Sequence, residues 1–189
     1  MAHDHHHKHA HSHVAELPLQ NEEHHPRPHF QFCPKCGGSL NRQRLKVHEP
    51  ERLVCSQCTF IFYDDPKVAA CTIPVINDKI VLLRRGIEPS YGKWVFPGGY
   101  VDRGEEVKLA AIREAREEVG LDIRIDRLLN IYSYPGRAPV IVVYTAKVTG
   151  GCLACDDEGL EARFFDRPTI PWDELAFRST REALREFLG

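Results

Sequence analysis

Gly99 to Leu121 reads GYVDRGEEVKLAAIREAREEVGL. It opens on a glycine turn and an acidic loop. Helical character then runs from Glu106 to Val119, where Gly120 ends it. Glu114, Glu117 and Glu118 stand at i, i+3 and i+4, so three carboxylates share one helical face. On an exposed helix such like-charged pairs repel by about 0.2–0.5 kcal/mol each. Surface helices usually interleave lysines for that reason; an all-carboxylate cluster is more natural where a divalent cation neutralises it. Oxygen-only ligands select Mg²⁺ or Mn²⁺ rather than zinc. The competing reading is a solvated acidic face with Arg113 and Arg116 as surface partners.

On either side of this stretch the pattern is that of a sheet. Val68 to Asn77 and Lys79 to Arg85 read as strands joined at Asn77–Asp78, a plausible hairpin. Gly86 to Lys93 reads as a loop, and Phe96-Pro97-Gly98-Gly99 as a break in regular structure. Downstream, Ile123 to Tyr132, Val140 to Val148 and Ala162 to Phe165 are strand candidates. A last amphipathic helix runs from about Thr180 to Leu188. The whole predicts an α+β fold.

Before this unit lie two Cys-x-x-Cys pairs, Cys33/Cys36 and Cys55/Cys58, separated by eighteen residues. Four thiolates so spaced suit one structural Zn²⁺ with every position filled by protein. A segment this short cannot bury enough apolar surface to fold alone, so the metal would supply the stabilisation. A rubredoxin-like iron site is the chemical rival. Cys152 and Cys155 form a third pair in a Gly-rich loop and read as incidental thiols, a redox role being the minority reading. Cys71 sits in an apolar strand and reads as core.

Ten of the eleven histidines fall within residues 1–29, together with Pro18, Pro26 and Pro28. That composition predicts disorder, as a purification tag or a native metal-gathering tail. The expected organisation is therefore a tail over 1–29, a zinc ribbon over 30–65 and a catalytic unit over 66–189. A formal charge of −2 gives no overall pull toward nucleic acid or an anionic membrane. The longest apolar stretch, Ala138 to Ala146, is too short to span a bilayer, and no signal-peptide core precedes it; a cytoplasmic address follows by default.

The quoted stretch resembles the Nudix signature GX5EX7REUXEEXGU, where U is aliphatic. Gly99, Glu105 and the run from Arg113 to Leu121 fill every fixed position, with Ala115 smaller than the usual aliphatic residue. Trp94-Val95-Phe96-Pro97-Gly98-Gly99 also resembles the family's lead-in. The resemblance implies an α/β/α sandwich with a mixed sheet. It implies two or three Mg²⁺ (or Mn²⁺) held by Glu114, Glu117, Glu118 and the Gly99 carbonyl, with Arg113 orienting the carboxylates. Glu105 is then structural or supporting. Glu114 is one candidate general base; Glu158 and Glu161, in the acidic stretch from Asp156 to Glu161, are others, set against a merely solvated loop.

A zinc ribbon ahead of such a domain is similar to NADH pyrophosphatases. Asn130 to Arg137 lacks their Ser-Gln-Pro-Trp-type motif, which argues against NADH; the overall layout more closely resembles zinc-ribbon Nudix proteins that act on ADP-ribose or FAD. Arg84, Arg85 and Arg137 are candidate phosphate partners. Tyr91 and Trp94 are candidate stacking platforms, with core or surface packing as the alternative for each. A homodimer is implied by the resemblance alone. The rival class is a nucleotide-sensing module, which has no need to keep every carboxylate.

Overall fold

The computed structural model describes residues 30–189; the histidine-rich segment and its expected disorder lie outside them. Three short strands come first: β1 (Leu40–Gln43), β2 (Arg52–Cys55) and β3 (Ile61–Phe62), paired antiparallel in that order. Their core is small. Leu40, Cys33 and Cys55 are buried, with Leu53, Cys58 and Phe60 packed against them.

The next unit is a seven-stranded mixed sheet. β4 (Val68–Ile76) and β5 (Lys79–Arg85) form the expected hairpin. Its two-residue turn puts Asn77 at φ 48° and Asp78 at φ 62°, the left-handed pair that matches the strands' twist. Two short strands follow, β6 (Trp94–Val95) and β7 (Gly98–Tyr100), pairing with β5 and β4 respectively. This corrects the expectation that Phe96 to Gly99 lies outside any regular element: the glycines break the chain's pattern, but their bare backbone still completes a ladder with Ala69 to Cys71.

Helix α1 (Val107–Val119) is the expected one, ended by Gly120 in the left-handed region at φ 68°. β8 (Leu121–Tyr132) and β9 (Val140–Gly151) run longer than the apolar pattern alone suggests, because their ends continue the ladder through polar residues. β10 (Gly159–Phe165) and α2 (Arg178–Leu188) complete the chain. The sheet order is β10-β5-β4-β9-β8, with β4 and β9 parallel and the other pairs antiparallel.

Helices cover both faces. Ala110 and Ala111 of α1 pack on Ala70, Val142 and Tyr144, and Ala115 and Val119 on Val81, Leu83 and Leu121. On the opposite face Ala183 and Leu184 of α2 pack on Ile73, Ile80, Leu82 and Val143. Fully burying one such aliphatic side chain is worth roughly 1.5–3 kcal/mol. β4 is apolar but for Thr72, and its middle, Ala70 to Pro74, is buried on both sides. The consequence for function is positional: α1 lies against β4 and β7, so its carboxylate face meets the Gly98–Gly99 turn. Among the described residues no helix is long and apolar enough to cross a membrane.

Candidate active site and metal centre

The carboxylates of α1 sit in three different environments. Glu118 turns inward and accepts a hydrogen bond from the Gly98 amide at 2.7 Å. Burial pushes its carboxyl up to about 8; Glu114 and Asp156 add to the rise and Arg85 opposes it. Glu114 lies over Gly99, where a β-carbon would come within 2.6 Å of its carboxylate, so only glycine leaves room. Burial raises Glu114 as well, against the pull of Arg113. Glu117 is outermost, its side chain 57% exposed.

Arg113 holds the set together. Its Nε and one terminal nitrogen make a two-pronged contact with Glu105, both at 2.9 Å. The other terminal nitrogen reaches Glu114 at 2.7 Å and Glu117 at 3.0 Å, and a further bond goes to the Tyr100 carbonyl at 3.2 Å. Arg113, with the Asp102 amide, brings Glu105 down to about 2. Glu105 is thus ion-paired support for Arg113.

Further elements close round Glu118. Arg85, at the end of β5, lies over the Phe177 ring at 5.1 Å and spends its Nε on the Pro89 carbonyl at 2.8 Å. Its terminal nitrogens make no hydrogen bond among the described residues. Burial lowers this guanidinium, while Glu118, Glu158, Glu88 and Tyr100 support its charge. The acidic loop is fixed where Gly86 donates to the Glu158 carbonyl at 2.7 Å. Cys71, read as core, is buried beneath; burial raises its thiol, with Glu118 and Glu114 adding to the effect.

The remaining candidates scatter. Glu161 is bound by Arg163. Arg84 donates to the Gly92 carbonyl at 2.9 Å. Tyr91 is 56% exposed, and Arg137 lies in the turn after Tyr134. Trp94 is 5% exposed, stacked edge-on against Phe165 at 4.9 Å and overlain by Arg163, so its ring belongs to the core and not to a stacking platform. Sequence reading passed over Asp156 and Phe177. Asp156 was in view within the acidic run, but only the fold separates the residue whose charge raises Glu118 from its neighbours. Phe177 carried no local signal.

The candidate ligand side chains, Glu114, Glu117 and Glu118, offer oxygens only, and Glu118 is buried. A hard divalent cation fits that donor set. Among the described residues, however, the three glutamates do not bring ligand oxygens within 4.8 Å of one another; the four cysteines do. Cys33 and Cys58 lie 3.7 Å apart at sulfur, and Cys36 and Cys55 3.5 Å. Sulfurs on a tetrahedral zinc stand about 3.8 Å apart, from Zn–S bonds of about 2.3 Å. Amides of Lys35, Gly38, Gln57 and Cys58 donate to these sulfurs at 3.4–3.5 Å. The amides of Cys58 and Gln57 hold the Cys55 thiol down at about 6, favouring the thiolate.

The NUDIX domain profile matches residues 65–187, and the profile for the Nudix N-terminal zinc ribbon matches residues 31–64. The chain belongs to the Nudix family. It is 40% identical over 119 residues to an ADP-ribose pyrophosphatase of Methanocaldococcus jannaschii, covering 61% of this chain and 69% of that one. It is 28% identical over 149 residues to the NAD-capped RNA hydrolase NudC of Vibrio atlanticus, covering 78% of this chain. The chain spans about half the length of that relative, 53%. A crystal structure of a NUDIX hydrolase from Nitrosomonas europaea superposes with a TM-score of 0.79 at 33% identity, covering 82% of this chain and 89% of the other. The Nudix assignment makes the chain an enzyme, a hydrolase, with a zinc ribbon at its N-terminal side.

Proposed function

We propose that this Nudix hydrolase cleaves the pyrophosphate link of a nucleoside diphosphate derivative, ADP-ribose or FAD, and releases a nucleoside monophosphate. One observation carries the reading: a buried carboxylate, Glu118, stands with Glu114 and the Gly99 turn on one side and the unspent guanidinium of Arg85 on the other. Carboxylates for a hard cation beside a cationic fork for phosphate oxygens are what anhydride hydrolysis needs. The likeness to the archaeal ADP-ribose pyrophosphatase supports the substrate class.

Glu114, Glu117, Glu118 and the Gly99 carbonyl would hold Mg²⁺ (or Mn²⁺), two or three ions. When bound, they neutralise phosphate charge and activate water. The chain's own groups supply the rest. Arg113 aims the carboxylates. Arg85, backed by Phe177, offers two N–H donors to a phosphate and is less free to move than a surface lysine. Glu158, whose charge supports Arg85, is the acidic-loop carboxylate assigned to take the water's proton; Glu161, engaged by Arg163, is left out. Cys33, Cys36, Cys55 and Cys58 would bind one structural Zn²⁺, closed to substrate. The organisation we infer is a ribbon over 30–65 and a catalytic unit over 66–189.

NAD-type dinucleotides are the second reading, favoured by the 78% of this chain that aligns with NudC. A substrate panel with Mg²⁺ separates them: ADP-ribose, FAD, NADH, NAD-capped RNA, diadenosine polyphosphates, coenzyme A and dNTPs, with product analysis. Preference for ADP-ribose or FAD with release of AMP is expected. Faster turnover of NADH or capped RNA would replace the first reading by the second. Tight nucleotide binding with no turnover would make the protein a sensor.

A further inference from the structure

The end of β8 is bonded to α2 through a row of polar side chains. Asn130 and Tyr132 donate to Glu186 at 2.9 and 2.8 Å, and Tyr134, just past the strand, donates to Glu182 at 2.7 Å. Residues two apart on a strand share a face, and residues four apart on a helix lie one turn from each other, so the two rows run side by side. Arg178 closes the seam: its guanidinium lies over the Tyr134 ring at 4.6 Å, and its Nε donates to Glu182 at 2.6 Å. Tyr134 in turn opens a tight turn. The Arg137 amide bonds back to the Tyr134 carbonyl at 3.1 Å, with Gly136 at φ 78° after Pro135.

This turn lies at the catalytic end of the sheet. Val140, which follows it, donates to the Lys67 carbonyl at 2.8 Å, and the next carbonyl, of Val68, accepts from Val101, two residues past Gly99. The residue before Arg178 is Phe177, whose ring carries Arg85. Its approach is fixed as well: the Ala176 amide bonds to the Trp94 carbonyl at 2.8 Å, and Leu175 bridges to Trp94. Adjacent residues at the start of α2 thus hold two separate parts of the catalytic end, Phe177 the arginine of β5 and Arg178 the turn after β8. We propose that the start of α2 is a brace that aligns both parts for substrate, with Phe177 and Tyr134 as its positioning residues. Phe177 keeps the Arg85 fork aimed at a phosphate, and Tyr134 holds the Tyr134–Arg137 turn against the rest of the nucleotide derivative. Groups fixed in this way lose little freedom when substrate binds, so the brace acts on affinity and not on the bond-breaking step. It presupposes that Arg85 grips a substrate phosphate, as proposed above.

Steady-state kinetics of the full-length protein with ADP-ribose and with FAD test it, with melting curves to show that each variant folds. Arg85→Lys reports on the phosphate reading and should raise KM. Phe177→Leu and Tyr134→Leu should each raise KM on the order of tenfold, the cost of ordering one freed side chain, with kcat little changed. Phe177→Tyr keeps the ring and should restore KM. A variant that merely loosened the fold would lower the active fraction, and so kcat, at unchanged KM. Should Tyr134→Leu not fold, Tyr134→Phe decides: it keeps the ring under Arg178, loses the bond to Glu182, and should still raise KM about threefold. Unchanged KM in Phe177→Leu or in the folded Tyr134 variant, with KM raised in Arg85→Lys, overturns the brace and leaves the phosphate reading standing. Unchanged KM in Arg85→Lys overturns both.

Discussion

The cysteine tetrad brings four sulfurs within 4.8 Å of one another, whereas the three glutamates of α1, far closer in sequence, do not converge. The difference lies in what else each ligand can bind. A thiol is short, and each Cys-x-x-Cys turn aims backbone amides at its sulfurs, so the geometry is set locally. A glutamate is long and finds other partners: Arg113 takes Glu114 and Glu117, and the Gly98 amide takes Glu118. The tetrad is a structural part of its module. The carboxylates are held by an arginine and an amide, which under the proposed function would yield them to a cation.

The largest effect should come from breaking the tetrad. Cys55→Ser, or removal of zinc by a chelator, should unfold β1–β3, since structural zinc contributes on the order of 10 kcal/mol or more to such small modules. The mixed sheet, with its own core, should survive. Zinc stoichiometry with hydrogen exchange reads both. Protection of β1–β3 persisting in the metal-free variant would mean that Phe30 on Phe62, at 4.4 Å, and the Arg52–Tyr63 contact hold the module without metal.

Breaking the carboxylate set should instead leave the fold and remove the chemistry. Glu118→Gln should lower kcat/KM by about 10³ or more, roughly 4 kcal/mol of transition-state stabilisation. Glu117→Gln, at the exposed end, should cost less. Equal losses at both positions would erase the distinction drawn between buried and exposed ligands. The same variant sharpens the electrostatics. In metal-free protein Glu118 stands at about 8 against an ordinary 4.5, so the folded state holds a proton that the unfolded state releases. Its contribution to stability is full below about 4.5 and is lost as pH rises to about 8. Relative to wild type, Glu118→Gln should therefore gain stability over that window, by about 3–5 kcal/mol at most. Parallel melting curves of the two proteins in chelator from pH 5 to 8.5 would show that Glu118 is not desolvated.

How much of this was legible beforehand follows the same division. The hairpin at Asn77–Asp78, the helix ended by Gly120 and the tetrad are local patterns, readable from a few adjacent residues. β6 and β7 were missed because two- and three-residue strands have no periodicity; they exist only because β4 and β5 are there to pair with. Trp94 was offered as a stacking platform because exposure cannot be read from residue type, and Phe165 and Leu175 claim it for the core. Glu158 and Asp156 stand two apart in one acidic run, and only the fold tells the one whose charge supports Arg85 from the one whose charge raises Glu118. Phe177 reaches Arg85 across most of the catalytic unit's sequence, a contact that no spacing rule anticipates.

The smallest effect tests the arrangement that keeps the glutamates apart. Arg113 makes five hydrogen bonds, two of them to Glu105 in a geometry that a guanidinium supplies and an ammonium does not. Arg113→Lys keeps the charge and loses the fork. Charged hydrogen bonds of this kind are worth about 1.5–3 kcal/mol where one is lost, and the site's partial exposure puts the expected loss of stability toward the lower end. The carboxyl of Glu105 should rise from about 2 toward the ordinary range, because Arg113 is the main cause of its depression. An NMR titration of the side-chain carboxyl carbons reads this directly. If Glu105 stays low in Arg113→Lys, the Asp102 amide is its principal partner. Arg113 would then be holding Glu114 and Glu117 alone, and the contrast with the amide-fixed cysteines would narrow to those two side chains.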